Sequence, residues 1–162
     1  KTVCKYNQKK DMNYTQVLEK LKSYCAYQER CHQEVTEKAY KLGLYKNEVG
    51  NAISELIQED FLNEQRFAEA YVSGKFNIKR WGRVKIVNNL KQKRISDFCI
   101  KKALLEINEK DYLKVLNYWI DRKLKECNEK DDFKKKGKVA SFVIQKGFES
   151  HLVWEELRRI DL

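Results

Sequence analysis

Residues 35–56 read VTEKAYKLGLYKNEVGNAISEL, and the same pattern of apolar residues returns twice further along the chain. The second copy, at residues 86–107, is IVNNLKQKRISDFCIKKALLEI, and the third, at residues 139–160, is VASFVIQKGFESHLVWEELRRI. The copies align without a gap, and self-similarity of this kind indicates a tandem-repeat protein. The matching columns are Val35/Ile86/Val139, Ala39/Leu90/Val143, Leu44/Ile95/Phe148, Val49/Ile100/Val153, Ile53/Leu104/Leu157 and Leu56/Ile107/Ile160.

The apolar columns predict two short helices joined by a tight turn. Their spacing is helical on both sides of the central column, and the central residue lies at the turn. Gly43 and Gly147 precede it, where a left-handed helix C-cap favours glycine. The second copy has Arg94 there, which either costs turn stability or is placed for its charge. The predicted N-caps of the following helix are Asn47, Ser96 or Asp97, and Ser150.

A further amphipathic helix is predicted before each pair, which gives each unit three helices. In the second unit it carries Phe67 and Tyr71, and in the third it carries Val115 and Trp119. We therefore predict an all-α fold in which three tandem, helix-turn-helix-like repeats of three helices form a curved, elongated array. The predicted boundaries are 1–14 for an N-terminal segment, 15–62 for an acidic first repeat, 63–109 for a basic second repeat and 110–162 for a basic third repeat.

The composition argues against several classes of protein. There is no proline to interrupt long helices, and no run of apolar residues approaches the roughly 18 that a membrane span needs. The five cysteines include no Cys-x-x-Cys pair, which is typical of free thiols in a reducing compartment. Residues 1–13 lack the apolar core of a secretion signal. We expect a monomeric, cytoplasmic protein that does not bind membranes.

A formal net charge of +10 concentrates polyanions such as nucleic acid near the surface. Between residues 79 and 102 nine Lys and Arg stand against Asp97 alone, whereas residues 28–70 carry nine Asp and Glu against five Lys and Arg. We interpret the basic clusters either as a stripe that follows phosphates or as solvated helix faces. The candidate binding residues are Lys79, Arg80, Trp81, Arg83, Lys85, Lys91, Lys93, Arg94, Lys134, Lys135, Lys136 and Lys138.

Trp81 and Gly82 stand at the predicted junction between the first and second helices of the second unit. The adjacent arginines lie at the start of a helix, where free backbone amides favour anions. Trp81 either stacks on a base or a partner protein, or packs between helices as large aromatic residues commonly do. Gly82 frees the chain to turn or to cap the next helix.

Catalytic chemistry is not indicated by the sequence. His32 and His151, the two histidines, lie far apart and outside any hydrolase or zinc-protease motif. Cys31 beside His32 suggests a nucleophile or half of a zinc site, but the remaining ligands of a tetrahedral site are not spaced around it. We predict no catalytic residues, no metal site and no cofactor.

These features together resemble the RecX family, and the resemblance extends from about Val17 onward. In order along the chain, the segments that carry it are RCHQEV at 30–35, KLGL at 41–44, FLNEQRFA at 61–68, KRWGRVKI at 79–86 and KGF at 146–148. Cys31 stands where the family usually has serine, and Arg94 where it has glycine. The resemblance marks as structural-motif residues Arg30, Gly43, Arg66, Phe67, Gly82, Gly147 and Phe148.

The resemblance implies a regulator of the RecA recombinase that lodges in the helical groove of the RecA filament on single-stranded DNA. Proteins of this kind inhibit the ATPase, strand-exchange and co-protease activities of RecA in recombination, DNA repair and the SOS response. The partners implied are the RecA filament and single-stranded DNA, with double-stranded DNA as a further ligand.

The alternative is a helix-turn-helix-like DNA-binding protein that acts without RecA, because each helix pair is joined by a short turn. Against this alternative, the first would-be recognition helix carries Glu48 and Glu55, and the third carries Glu155 and Glu156. Acidic helices enter a DNA groove poorly.

Overall fold

The computed structural model describes residues 13–160. In that range the chain forms nine α-helices and one π-helical turn, with no strand, so the predicted all-α class is confirmed. The helices are α1 (Tyr14–Tyr27), α2 (His32–Lys41), α3 (Lys46–Gln58), α4 (Glu64–Ser73), α5 (Arg83–Gln92), α6 (Asp97–Leu104), α7 (Glu109–Glu126), α8 (Asp132–Gln145) and α9 (Ser150–Arg158), and the π-helical turn Gly74–Ile78 continues α4.

The chain divides between Phe67 and Ala68 into two compact units. In the first unit, α1, α2 and α3 pack against one another around a core that includes Val17, Leu21 and Val35, all fully buried. In the second unit, α5 packs on α6, while α7, α8 and α9 pack against one another. Phe76 in the π-helical turn stacks on Tyr112 of α7, with ring centroids 5.9 Å apart.

The aligned apolar columns form the core of both units. The residues of the first four columns are all buried, with at most 6% of their surface exposed. In the last two columns Leu56, Ile107 and Leu157 are buried, whereas Ile53, Leu104 and Ile160 are half-buried. The helix periodicity read from the sequence therefore identifies the buried faces correctly.

The turn before the central column adopts the left-handed conformation in all three copies. Gly43 and Gly147 have φ angles of 101° and 98°, and Arg94, although not a glycine, has a φ of 60°. A side chain in this conformation is strained by about 1–2 kcal/mol. Arg94 thus preserves the turn of the other copies at a cost in stability.

The N-cap of the helix that follows each tight turn agrees with the prediction in one copy of three. Ser96 caps α6, and its hydroxyl accepts a hydrogen bond from the Cys99 amide at 3.4 Å. The caps predicted at Asn47 and Ser150 are wrong: the cap of α3 lies two residues earlier, at Tyr45, and the cap of α9 lies one residue earlier, at Glu149. The Glu48 carboxylate completes the start of α3 by accepting from the Tyr45 amide at 2.8 Å.

Candidate nucleic-acid interface

The start of α5 is docked against the turn between α8 and α9. The Gly82 amide donates to the Lys146 carbonyl at 3.0 Å, and the Val84 amide donates to the Gly147 carbonyl at 2.9 Å. Between them, the Arg83 amide donates to the Tyr112 hydroxyl at 3.0 Å. All three amides are satisfied within the protein, so they are not the free anion-binding amides that the sequence suggested at this helix end.

Gly82 and Gly147 are glycines because two backbones meet there. A Cβ on Gly82 would lie 2.2 Å from the carbonyl carbon of Gly147, far closer than a side chain permits. A Cβ on Gly147 would lie 2.2 Å from the Cβ of Lys85. These two motif residues therefore join the segment before α5 to the α8–α9 turn.

Arg83 lies in this contact between the start of α5 and the α8–α9 turn, which we call the joint, and its side chain is only partly exposed. Its guanidinium forms ion pairs with Glu109 at 2.5 Å and with Glu149 at 3.9 Å, and it lies 4.0 Å from the ring centroid of Tyr112. The Tyr112 hydroxyl donates to Glu149 at 2.5 Å. Burial, and then this carboxylate, raise the pKa of Tyr112. Phe148 completes the joint, with its ring centroid 5.1 Å from that of Tyr112.

Next to the joint, cations lie over aromatic rings. The ammonium groups of Lys75 and Lys85 lie 5.1 Å and 4.5 Å from the centroid of the half-buried Trp81 ring. A lysine over a ring face is held by the quadrupole of the ring and still has N–H groups free to donate. Trp81 is thus neither a bare stacking platform nor a fully buried core residue.

The same arrangement continues around Arg80, which has a φ of 53°. The Arg80 carbonyl accepts from the Trp119 indole at 2.9 Å, and its guanidinium lies 4.0 Å from the centroid of the Tyr118 ring. The Lys146 ammonium lies 4.4 Å from the centroid of Trp119. We call this set the cation–aromatic band, and its members are Lys75, Arg80, Trp81, Lys85, Tyr118, Trp119 and Lys146.

Positive charge in the band affects Tyr118. The hydrogen bond from Arg122, and then the nearby charges of Arg80 and Arg122, lower the pKa of its hydroxyl. Such a shift is expected where positive charge gathers at one surface.

The other predicted cations of the second repeat lie on its surface. Lys79 and Arg94 are exposed, and Lys91 forms an exposed ion pair with Asp97 at 3.4 Å. Lys93 is half-buried at the end of α5. Exposed lysines and arginines remain available to an incoming polyanion, because surface ion pairs contribute little.

The basic run of α8 does not act as one patch. Lys134 is exposed and Lys135 is half-buried. The Lys136 ammonium donates to the Ile160 carbonyl at 2.7 Å, and Lys138 forms an ion pair with Glu129 at 2.6 Å. This pairing with Lys138 is the main cause that lowers the pKa of the Glu129 carboxyl. Half of the run is therefore occupied in holding α8 to its surroundings.

In the first unit the motif residues connect helices. Arg66 contacts Glu29 at 2.9 Å and the Asp60 carboxylate at 2.6 Å, and it donates to the Asp60 carbonyl at 2.7 Å. The Arg30 guanidinium lies 4.0 Å from the centroid of Tyr24, and Phe67 is buried. Arg66 thus fixes the start of α4 to the loop between α1 and α2.

Over residues 13–160 the structure brings no three His, Cys, Asp or Glu side chains together in a metal-binding group. None of the helices in that range is long and apolar enough to span a membrane.

Burial raises the pKa of the Cys25 thiol to about 11, so it stays protonated and unreactive at neutral pH.

Sequence reasoning did not assign Lys75, Tyr118, Trp119 or Lys146 to a binding surface. In the sequence, Lys146 belongs to the KGF motif and Trp119 to the apolar face of a predicted helix. No local pattern pairs Tyr118, Trp119 or Lys146 with the Arg80–Trp81 segment, because their contacts join parts of the chain that are distant in sequence. Lys75 contacts Trp81, which lies nearby in the sequence.

Comparison with known proteins identifies the relatives of the chain. Residues 63–104 match the second three-helix domain of RecX, and residues 109–157 match the third. "Regulatory protein RecX" of Bacillus cereus (strain B4264) is 26% identical over 153 residues, covering 91% of this chain and 53% of the relative. The Streptococcus uberis protein of the same name is 28% identical over 135 residues, covering 80% of this chain and 50% of the relative. The chain spans about half the length of these curated relatives.

Solved structures show the same fold. The crystal structure of RecX from Lactobacillus salivarius superposes with a TM-score of 0.79 at 24% identity, covering 91% of this chain and 97% of that one. A second crystal structure of regulatory protein RecX superposes with a TM-score of 0.82 at 19% identity, covering 91% of this chain and 72% of that one. Two successive domain matches, the named relatives and the shared fold agree, and the chain belongs to the RecX family.

Proposed function

We propose that this protein is a non-catalytic, cytoplasmic, monomeric negative regulator of RecA. It binds the groove of the RecA filament on single-stranded DNA and inhibits the ATPase, strand-exchange and co-protease activities of RecA in recombination, DNA repair and the SOS response. The relatives, which are regulatory proteins by name, support this proposal. The proposed repeats span 15–62, 63–109 and 110–162, and the two domain matches support the second and third of them.

The observation that carries the proposal is the cation–aromatic band. It gathers Lys75, Arg80, Lys85 and Lys146 around three aromatic rings. Amino and guanidinium groups held in this way are suited to a ligand with repeated phosphates, because neutralising each phosphate releases condensed counterions. A nucleoprotein filament offers such phosphates beside a protein surface.

Predicted cations at the surface extend the proposed interface beyond the cation–aromatic band. Those with partners inside the protein are proposed to hold its helices in place. Arg83, Lys136 and Lys138 already have partners inside the protein, so their proposed contribution is to hold α5 and α8 in place. The remaining residues proposed to face the filament, in addition to the band, are the exposed Lys79, Lys91, Arg94 and Lys134 and the half-buried Lys93 and Lys135, of which Lys91 also forms the surface ion pair with Asp97.

The test adds the purified protein to RecA assembled on circular single-stranded DNA and follows ATP hydrolysis and strand exchange. We expect both rates to fall as the ratio of this protein to RecA rises. Unchanged rates at a molar excess would overturn the proposal. The same titration with a DNA oligonucleotide and no RecA measures any independent DNA affinity.

DNA binding without RecA is the second candidate, and one observation favours it. Of the helices that follow the tight turns, α6 has two adjacent exposed lysines, Lys101 and Lys102, on its outer face. However, the same face carries Phe98 and Leu105, whose side chains cannot form the hydrogen bonds that read base edges. A sequence preference for duplex DNA, measured without RecA, would support this second function.

A further inference from the structure

The outer face of α6 is an apolar and basic stripe. Phe98, Lys101, Lys102 and Leu105 stand at positions i, i+3, i+4 and i+7, which lie on one side of a helix. All four side chains are exposed, and Phe98 and Leu105 have 74% and 84% of their surface accessible. Two large apolar residues on one solvated helix face indicate an interaction surface more strongly than a single one would.

The repeat alignment shows that the fold does not require these apolar residues. The positions equivalent to Phe98 are Asn47 in α3 and His151 in α9, and those equivalent to Leu105 are Ser54 and Arg158. Polar residues therefore occupy the equivalent positions in the other two copies. The core side of α6, with Ile100 and Ala103, is buried, as are Val49 and Ala52 in α3 and Val153 in α9.

The charge around the stripe selects the partner. Lys101 and Lys102 lie between the two apolar residues, and the exposed Arg94 lies in the turn before the helix. Asp97, the acidic residue at the start of α6, is in an ion pair with Lys91. The face is therefore complementary to a surface that combines carboxylates with apolar side chains.

Such a surface belongs to a protein rather than to a nucleic acid. Leucine has no π-face on which a base stacks, so Leu105 gains little from exposed bases. Phe98 and Leu105 are about 10 Å apart along the helix, two turns at 1.5 Å per residue, which is the spacing with which a helix contacts another amphipathic segment.

We propose that the Phe98–Leu105 face of α6 docks an acidic, amphipathic segment of a protein partner. The apolar side chains fit between apolar residues of that segment, and the two lysines pair with its carboxylates. Taking RecA as that partner rests on the proposed function. The α6 face would then contact the recombinase protein, while the cation–aromatic band contacts the DNA.

The test compares binding to RecA filaments on labelled single-stranded DNA, measured by sedimentation, with binding to the same DNA without RecA. Phe98→Asn with Leu105→Ser installs the residues that α3 carries at these positions, so the variant is expected to fold, which circular dichroism checks. The matched control, Tyr27→Asn with Ile57→Ser, removes exposed apolar residues from the first unit.

We expect the α6 variant to bind filaments at least tenfold more weakly while binding naked DNA as the wild type does, and the control to bind both normally. Lys101→Glu with Lys102→Glu should also weaken filament binding. Equal filament binding by wild type and the α6 variant would overturn the inference alone. An equal loss on naked DNA would assign the face to nucleic acid instead. A wild type that does not bind filaments would overturn the proposed function and, with it, the assignment of RecA to this face.

Discussion

Gly82 and Gly147 are in backbone-to-backbone contact, so that a Cβ added to Gly82 would lie 2.2 Å from the Gly147 carbonyl carbon. Two hydrogen bonds flank the contact, from the Gly82 amide to Lys146 and from the Val84 amide to Gly147. The contact joins the start of α5 to the α8–α9 turn. It also brings Lys146 near the segment that carries Arg80 and Trp81.

Gly82→Ala should therefore lower the free energy of unfolding. Relieving the overlap requires a backbone shift, which we expect to cost about 1–3 kcal/mol. Urea denaturation measures the change. Gly137→Ala is the control: Gly137 lies inside α8 with open space at its Cβ position, so alanine there should stabilise the protein by about 0.5–1 kcal/mol. An equal effect of the two substitutions would show that the close contact is absent in solution.

Arg94→Gly should raise the free energy of unfolding by up to about 1 kcal/mol. Glycine relieves the left-handed strain at a φ of 60°, and the greater freedom of glycine in the unfolded chain offsets part of that gain. Gly43→Ala is the converse variant, since its φ is 101° and nothing lies near its Cβ position, so it should lose about 1 kcal/mol. A destabilised Arg94→Gly protein would instead mean that the arginine side chain supports the fold.

Lys79→Glu with Lys85→Glu should weaken binding to the RecA filament and flatten its salt dependence. Each lost phosphate contact reduces the slope of log K against log salt by about 0.7 on single strands. Lys41→Glu with Lys46→Glu makes the same charge change at exposed positions of the first unit and should have a smaller effect. Equal effects of the two pairs would show that net charge, rather than the basic surface, governs binding.

Tyr112→Phe should destabilise the fold by about 1–3 kcal/mol, because it removes a buried hydroxyl that accepts from the Arg83 amide and donates to Glu149. Thermal unfolding at neutral pH measures the loss. Tyr118→Phe is the control, since that hydroxyl lies at the surface, where it accepts a long bond of 3.4 Å from Arg122. A neutral Tyr112→Phe substitution would show that water replaces the hydroxyl without cost.

Stability should also fall as the pH rises above about 10. The pKa of Tyr112 is raised on folding, and the pKa of Tyr14, beside Glu55, is raised to about 12. Above the unfolded pKa of about 10 the unfolded chain releases protons that the folded protein retains, so folding becomes less favourable. In Tyr112→Phe the decrease should be shallower, with the contributions of Tyr14 and of the buried Cys25 thiol remaining. Urea midpoints between pH 9 and pH 12 test this, and identical slopes in both proteins would contradict it.

Sequence patterns and structure agree where a property is local. The left-handed turn at Arg94 follows from its alignment with Gly43 and Gly147, although arginine alone would not indicate it. The cap at Ser96 was predicted correctly, whereas the cap predicted at Ser150 was wrong: Ser150 is the first residue of α9 and follows Glu149, whose carboxylate accepts from Tyr112, a residue of another helix. Long-range contacts of this kind cannot be predicted from the residues that are adjacent in the sequence.

The sequence by itself determined the nine helices found between residues 13 and 160, their buried faces and the three turns, because hydrophobic period and backbone conformation depend on neighbours along the chain. Only the tertiary structure decided which basic residues are available for binding. Arg83 and Lys136 look like any surface cations in the sequence, yet they are held by Glu109 and by the Ile160 carbonyl. Such partners lie on separate helices, and only packing brings their charges within reach.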